Sequence, residues 1–170
     1  KSGAPNLLRL VLGRRTRRST ETVAVLEATV DDMSPEVTGH VMERLLEAGA
    51  LDVFIAPVQM KKNRPGVNLT VIAEPALRPA LAELLFMEST TLGLRCHEVE
   101  REILERKWVK VSTPYGCVSV KLGLSNGRVI NVAPELEDCR RVAASRQVSL
   151  KEVQHAALAA YRTKARPDGL

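Results

Sequence analysis

The sequence predicts an α+β protein: a ferredoxin-like βαββαβ plait followed by a small second α+β unit of three short strands and two helices. Three observations predict it. Between residues 22 and 104 the patterning runs strand, helix, strand, strand, helix, strand, which is the order of a split βαβ plait. After residue 104 it changes to three short β-branched runs divided by the hairpin-grade turns PYG and SNG. Two helical stretches then follow, the second with capping-box residues at its start.

Residues 7–12 (LLRLVL) read as a short strand, and 13–21 (GRRTRRSTE) as a polar, basic, mobile loop. Residues 22–30 (TVAVLEATV) are β-branched and partly alternating, which predicts a strand. Ser34 is placed to cap a helix whose first position is Pro35, where a missing N–H costs nothing. Val37, Val41, Met42, Leu45 and Leu46 form its apolar stripe, and Gly49 stops it. Residues 51–59 are a second strand, with Pro57 arguing for an edge or a strand end. The segment 60–66 (MKKNRPG) reads as a loop whose turn signal is Pro65-Gly66. Residues 67–74 are a third strand. Pro75 opens a second helix with Leu77, Leu81, Leu84 and Leu85 on one face, and 91–104 form a fourth strand. Both helices should cover one side of the sheet and leave the other for a partner or ligand.

In the second unit the strands are WVKVST, CVSVKL and RVINVA. Pro134 opens one helix. Ser149 and Glu152 have capping-box spacing at the start of another, whose Val153, Ala157 and Ala160 share a face. The tail RPDGL should fray. The expected division is 1–21 for an N-terminal strand and basic loop, 22–104 for the plait, 105–165 for the small α+β domain and 166–170 for the tail.

Composition narrows the function classes. The 170 residues are 45% hydrophobic and 26% charged, the balance of a soluble globular protein. The longest apolar run falls far short of the roughly 18 residues that would read as a membrane span. Without an initiator Met or a signal-peptide pattern, the chain reads as part of a larger cytoplasmic protein. The net charge of +5 is local: Lys1, Arg9, Arg14, Arg15, Arg17 and Arg18 crowd the first 20 residues without an acid, so the remainder is close to neutral. A basic nucleic-acid surface is not expected. RNA binding by a plait also needs aromatic side chains on its central strands, and VNLTVIAE has none. Cys96, Cys117 and Cys139 lack metal or disulfide spacing and read as buried thiols. His40, His97 and His155 are scattered, and His40 reads as a surface or rim residue.

Four segments carry candidate chemistry. Asp31 and Asp32 stand at a strand-to-helix junction in VDDMSPE. Adjacent carboxylates repel unless a cation lies nearby, and their hard oxygens suit Mg²⁺ or Mn²⁺; the plain alternative is complementation of the helix macrodipole. Lys61, Lys62, Asn63 and Arg64 place three cations and an amide in four residues, matched to phosphate oxygens, with Gly66 free to let backbone approach a ligand; the alternative is a solvated hairpin loop. In a plait these two segments lie at the same general end of the sheet or across a subunit boundary, and together they would suit a metal–nucleotide complex. Ser89-Thr90-Thr91-Leu92-Gly93-Leu94-Arg95 reads either as a helix C-cap or as anion contacts, with Arg95 the residue to test. The acids after Pro134 read as first-turn helix electrostatics.

In this order, VDDMSPE, MKKNRPG, TTLGLR, TPYGCVSVKL and NVAPELEDCRR resemble the C-terminal region of the LarC family, over about residues 22–161. These are the nickel-insertion proteins, or cyclometallases, of nickel-pincer nucleotide biosynthesis. The resemblance implies insertion of Ni²⁺ into pyridinium-3,5-bisthiocarboxylic acid mononucleotide to give the cofactor of lactate racemase, with CTP converted to CMP and pyrophosphate and Mg²⁺ or Mn²⁺ required. It implies that this region serves CTP, that the family's N-terminal domain is missing here, and that the chain forms trimers or hexamers. Carried onto matching positions, Lys61, Lys62, Asn63 and Arg64 would hold the triphosphate and Asp31 and Asp32 the divalent ion. Arg95 and Lys62 would act on the reacting phosphate as catalytic residues. One position departs from the family pattern: Thr29 stands where the family has Asn. The competing expectation is an oligomeric regulatory domain that binds a nucleotide without turnover.

Overall fold

From residue 24 onward β1 (Ser19–Val30) alternates inward and outward, with Ala24, Leu26, Ala28 and Val30 buried on one face and Glu27 and Thr29 half-buried on the other. That alternation is what a strand with one covered face requires. A computed structural model describes residues 19–165. The expected strand at 7–12, the basic residues of 1–18 and the tail 166–170 lie outside the described residues. The chain divides into two units, Thr20–Glu102 and the described residues from Ile103 onward.

In the first unit β1 is followed by α1 (Pro35–Glu47), β2 (Asp52–Met60), β3 (Arg64–Ala73), α2 (Arg78–Glu88) and β4 (Arg95–Ile103). The sheet order is β2-β3-β1-β4. β3 is antiparallel to both β1 and β2, which is the plait the sequence predicts. Pro57 sits on β2, an edge strand, where its missing N–H breaks no inner ladder. Leu26, Leu69 and Val71 from the sheet, Val41 and Leu45 from α1, and Leu81 and Leu85 from α2 form one core, so both helices cover the same face.

The local signals at α1 act as expected. Ser34 Oγ accepts from Val37 N–H at 3.3 Å, Pro35 opens the helix, and Gly49 takes φ +96° after it. The buried stripe differs: it runs Thr38, Val41, Leu45, while Val37 and Leu46 are exposed. Thr38 can turn inward because its hydroxyl donates to Ser34 O at 2.8 Å. Before α2, residues Pro75–Leu77 form a single 3₁₀ turn, and the helix proper starts at Arg78. β1 also reaches back to Ser19, into the segment expected to be loop, and β4 starts only at Arg95.

In the second unit β5 (Glu105–Thr113), β6 (Gly116–Ser125) and β7 (Arg128–Pro134) form an antiparallel meander, followed by α3 (Leu136–Arg146) and α4 (Leu150–Ala165). Asn126 and Gly127 both take positive φ, as a two-residue hairpin turn demands. Val111, Val118, Val120 and Leu122 pack against Cys139, Val142, Val153 and Ala157. Pro134 ends β7 rather than opening α3, whose cap position is Glu135. Ser149 and Glu152 form the expected capping box, with reciprocal bonds of 3.2 and 2.9 Å. Of the three cysteines only Cys139 is buried, and burial pushes its thiol pKa up. Cys96 is exposed on an edge strand, and Cys117 lies on β6 next to the inward-facing Val118, so alternation turns it outward.

Candidate functional site at the end of the plait sheet

Antiparallel pairing brings three loops to one end of the first unit's sheet. They are the segment after β1, the β2–β3 turn and the segment between α2 and β4. Each holds residues singled out from the sequence. Arg64 Nη1 donates to Asp31 Oδ2 at 3.1 Å. Thr90 Oγ1 donates to Asp32 Oδ1 at 2.5 Å, tying the α2–β4 segment to the same rim. Each carboxylate therefore has one oxygen engaged and one without a hydrogen-bond partner among the described residues.

The β2–β3 turn is tighter than the sequence suggests. Lys62 and Asn63 both adopt left-handed backbone conformations, at φ 60° and 57°. Pro65 and Gly66 lie inside β3 rather than at the turn. Two successive non-glycine residues in this region cost on the order of 1 kcal/mol each. The turn keeps a lysine where glycine would be easier. Asn63 Oδ1 accepts from Gln59 Nε2 at 3.0 Å, so its side chain helps close the turn. The ammonium groups of Lys61 and Lys62 have no partner among the described residues, and both side chains are exposed. Gly66 serves a role other than the one expected: a Cβ there would meet Val30 O at 2.6 Å. Its bare backbone packs against β1, not against space for a ligand, and this close approach holds the turn beside Asp31.

Arg95 opens β4 and lies on the sheet face opposite the helices. Its Nη2 donates to Thr29 Oγ1 at 2.9 Å and Asn68 Oδ1 at 2.8 Å, and its Nε lies 3.5 Å from Glu27 Oε2. Asn68 is fully used: Oδ1 also accepts from Thr29 Oγ1, while Nδ2 donates to Glu27 Oε1 and Thr70 Oγ1. Thr29 and Asn68 are opposite each other in the β1–β3 register, which is why this network forms. Thr29 is two residues before Asp31, about 6–7 Å along the strand. Glu27 and Asn68 escaped the sequence reading, and Thr90, part of a segment singled out, proves to contact a carboxylate. The first two had a visible signal, since Glu27 with Thr29 and Asn68 with Thr70 put polar side chains at strand period on neighbouring strands, and Asn is depleted in strands.

The donor set fits a hard divalent cation carried by a polyphosphate. Two carboxylate oxygens are available, and the rest of an octahedral shell would come from phosphate and water. No cluster of three or more His, Cys, Asp and Glu able to hold a metal occurs among the described residues. His40 is exposed beside Glu88, at 3.5 Å, as a rim histidine. No helix among the described residues is long and apolar enough to cross a membrane.

A family model described as "Nickel insertion protein" matches residues 1–154. A Myxococcus xanthus (strain DK1622) relative, provisionally named a nickel insertion protein, is 51% identical over 94% of this chain and 41% of its own length. The pyridinium-3,5-bisthiocarboxylic acid mononucleotide nickel insertion protein of Clostridium kluyveri is 40% identical over 88% of this chain and 38% of its own. The chain thus spans about two fifths of the length of these curated relatives. Among solved structures, the apo form of LarC2, the C-terminal domain of a cyclometallase involved in synthesis of the NPN cofactor of lactate racemase, superposes with TM-score 0.81 and 38% identity. The match covers 85% of this chain and 99% of that one. A Methanopyrus kandleri protein at 24% identity and TM-score 0.61, covering 85% of this chain and 91% of its own, shares the fold.

Proposed function

The chain belongs to the nickel insertion protein family, and from that premise we propose that it is the CTP- and divalent-metal-binding C-terminal part of a nickel-inserting cyclometallase. Its substrates would be CTP, Ni²⁺ and pyridinium-3,5-bisthiocarboxylic acid mononucleotide, and its product the nickel-pincer nucleotide. The observation that carries the reading is the 3.1 Å contact between Arg64 and Asp31, which joins a cationic turn to a carboxylate pair at one sheet end.

Lys61 and Lys62 present their ammonium groups to the β- and γ-phosphates, and Arg64 contributes its remaining guanidinium nitrogens. Asp31 and Asp32 would each hold Mg²⁺ or Mn²⁺ through the oxygen that has no hydrogen-bond partner among the described residues, and the ion would supply charge neutralisation at the triphosphate. Arg95, held by Glu27, Thr29 and Asn68, is preorganised to stabilise charge developing on the α-phosphate. Attack there by an oxygen or sulfur of the substrate carboxyl or thiocarboxyl group breaks the bond to the β-phosphate bridging oxygen and releases pyrophosphate. CMP leaves when water attacks that phosphorus and breaks its new bond, returning the oxygen or sulfur to the substrate. Nickel's soft donors come from the substrate's own sulfur atoms. An N-terminal LarC-type domain, assembly into trimers or hexamers and a cytoplasmic location belong to the same proposal.

Titration calorimetry of CTP with and without Mn²⁺ tests it. Binding should require the metal, and Asp31→Asn with Asp32→Asn should abolish the metal-dependent binding. Equal affinity without the metal overturns the reading. CTP binding without pyrophosphate release, in the complete family polypeptide given Ni²⁺ and the pincer precursor, would identify a regulatory domain instead.

A further inference from the structure

The second unit carries a site of its own on the outer face of its sheet. Strand alternation turns Val111, Val118, Val120 and Leu122 inward, so Arg106 and Trp108 of β5, Lys121 and Gly123 of β6, and Asn131 and Ala133 of β7 share the opposite face. A cavity of about 110 Å³ opens there, lined by Leu104, Arg106, Lys121, Gly123, Asn131 and Ala133 among others. Gly123 is its floor. A Cβ there would meet Leu104 Cδ1 at 3.0 Å and Asn131 Cβ at 3.2 Å, so any side chain would fill the space. The ladder slips after Gly123 by one residue of β7, and this bulge sets Asn131 opposite the glycine.

Charge and geometry select the occupant. Arg106 has no ion-pair or hydrogen-bond partner among the described residues, and Lys121 Nζ shares Glu135 Oε1 at 3.4 Å with Trp108 Nε1 at 2.8 Å. One acid therefore orients both the indole and the ammonium. Trp108 lies opposite Lys121 in register and two residues from Arg106, with 57% of its surface exposed. An exposed tryptophan beside a fork-shaped cation and a small cavity suits one aromatic ring and one phosphate, not a triphosphate.

We propose that the outer face of the β5–β6–β7 sheet binds an aromatic phosphate monoester, its phosphate held by Arg106 and Lys121 above Gly123 and its ring stacked on Trp108. The site is built from residues of the second unit alone. It deepens the function proposed above and rests on it only for the choice of a pyridinium mononucleotide as probe.

Trp108 is the chain's single tryptophan, so its fluorescence reports the site directly. Titration with nicotinic acid mononucleotide should give saturable quenching. Arg106→Ala, an exposed change, and Gly123→Ala should each weaken it about tenfold or more, the worth of one lost charge-assisted contact. Ribose 5-phosphate, which lacks the ring, should compete about tenfold less well. Quenching that never saturates, an unchanged curve for Arg106→Ala, or equal competition by ribose 5-phosphate overturns the proposal. An Asp31→Asn, Asp32→Asn double variant should bind the mononucleotide as the parent does; loss of quenching there also overturns it. Failure of metal-dependent CTP binding with quenching intact would instead sink the plait reading alone.

Discussion

Arg64 and Asp31 are separated by 33 residues and meet at 3.1 Å. The pairing follows from strand register. Val30, the last residue of β1, faces Val67 of β3, and continuing that antiparallel ladder brings the start of β3 alongside the residue after β1. Gly66 permits the approach. The contact is therefore built into the sheet, and a nearby change to β3 should disturb it as surely as a change to either partner.

Arg64→Ala should weaken Mn²⁺-dependent CTP binding about tenfold, a change calorimetry resolves. Its effect on thermal stability should stay within about 0.5 kcal/mol, because the guanidinium is more than half exposed and an exposed pair contributes little. A large drop in melting temperature would show that the pair serves the fold.

Gly66→Ala should destabilise the protein by about 1–3 kcal/mol, since the new methyl group would press on Val30 O and the backbone cannot yield without opening the β1–β3 ladder. Chemical denaturation measures the loss. Affinity for CTP should fall with it, as Arg64 moves away from Asp31.

Lys62→Gly should act in opposite directions on stability and binding. Relief of the left-handed backbone should raise stability by up to about 1 kcal/mol, and loss of the ammonium should weaken CTP binding. A variant that gains stability and keeps its affinity would exclude Lys62 from the site.

Asn68→Ala should cost about 1–3 kcal/mol by leaving Glu27, Thr29 and Arg95 without their common partner. If Arg95 acts on the reacting phosphate, turnover should fall more than CTP affinity does. Comparing single-turnover rates with equilibrium binding separates the two.

Asp138 should give the second unit an acid-sensitive stability. Its side-chain bond with Arg141 at 2.7 Å and the Ser119 N–H at 2.8 Å hold its pKa at about 2, below the ordinary 3.8. The unfolded chain takes up the proton first. The contribution is therefore complete above the ordinary value and is lost as pH falls toward about 2. Asp138→Asn should remove about 1–2 kcal/mol at neutral pH, the part that survives solvent screening, and flatten the profile between about pH 4 and pH 2. Trp108 fluorescence during urea unfolding follows it.

The order of elements, the Ser34 and Ser149 caps, the Asn126-Gly127 turn and the edge position of β2 were legible because each depends on neighbours within a few residues or on a repeat of two or 3.6. The carboxylate pair and the cationic turn were legible as residue types, and plait topology left them at one sheet end or across a subunit boundary until the contact within the chain decided it. The structure decided what those patterns leave open. It set which oxygen of Asp31 meets Arg64, that Thr90 claims Asp32, and that Arg95 is held by Glu27, Thr29 and Asn68. It also moved the turn to Lys62-Asn63 and turned Cys117 outward. These are consequences of register and close backbone approach between strands distant in sequence. A one-residue slip would exchange every facing side chain while leaving local propensity almost unchanged, so only the assembled sheet could choose among them.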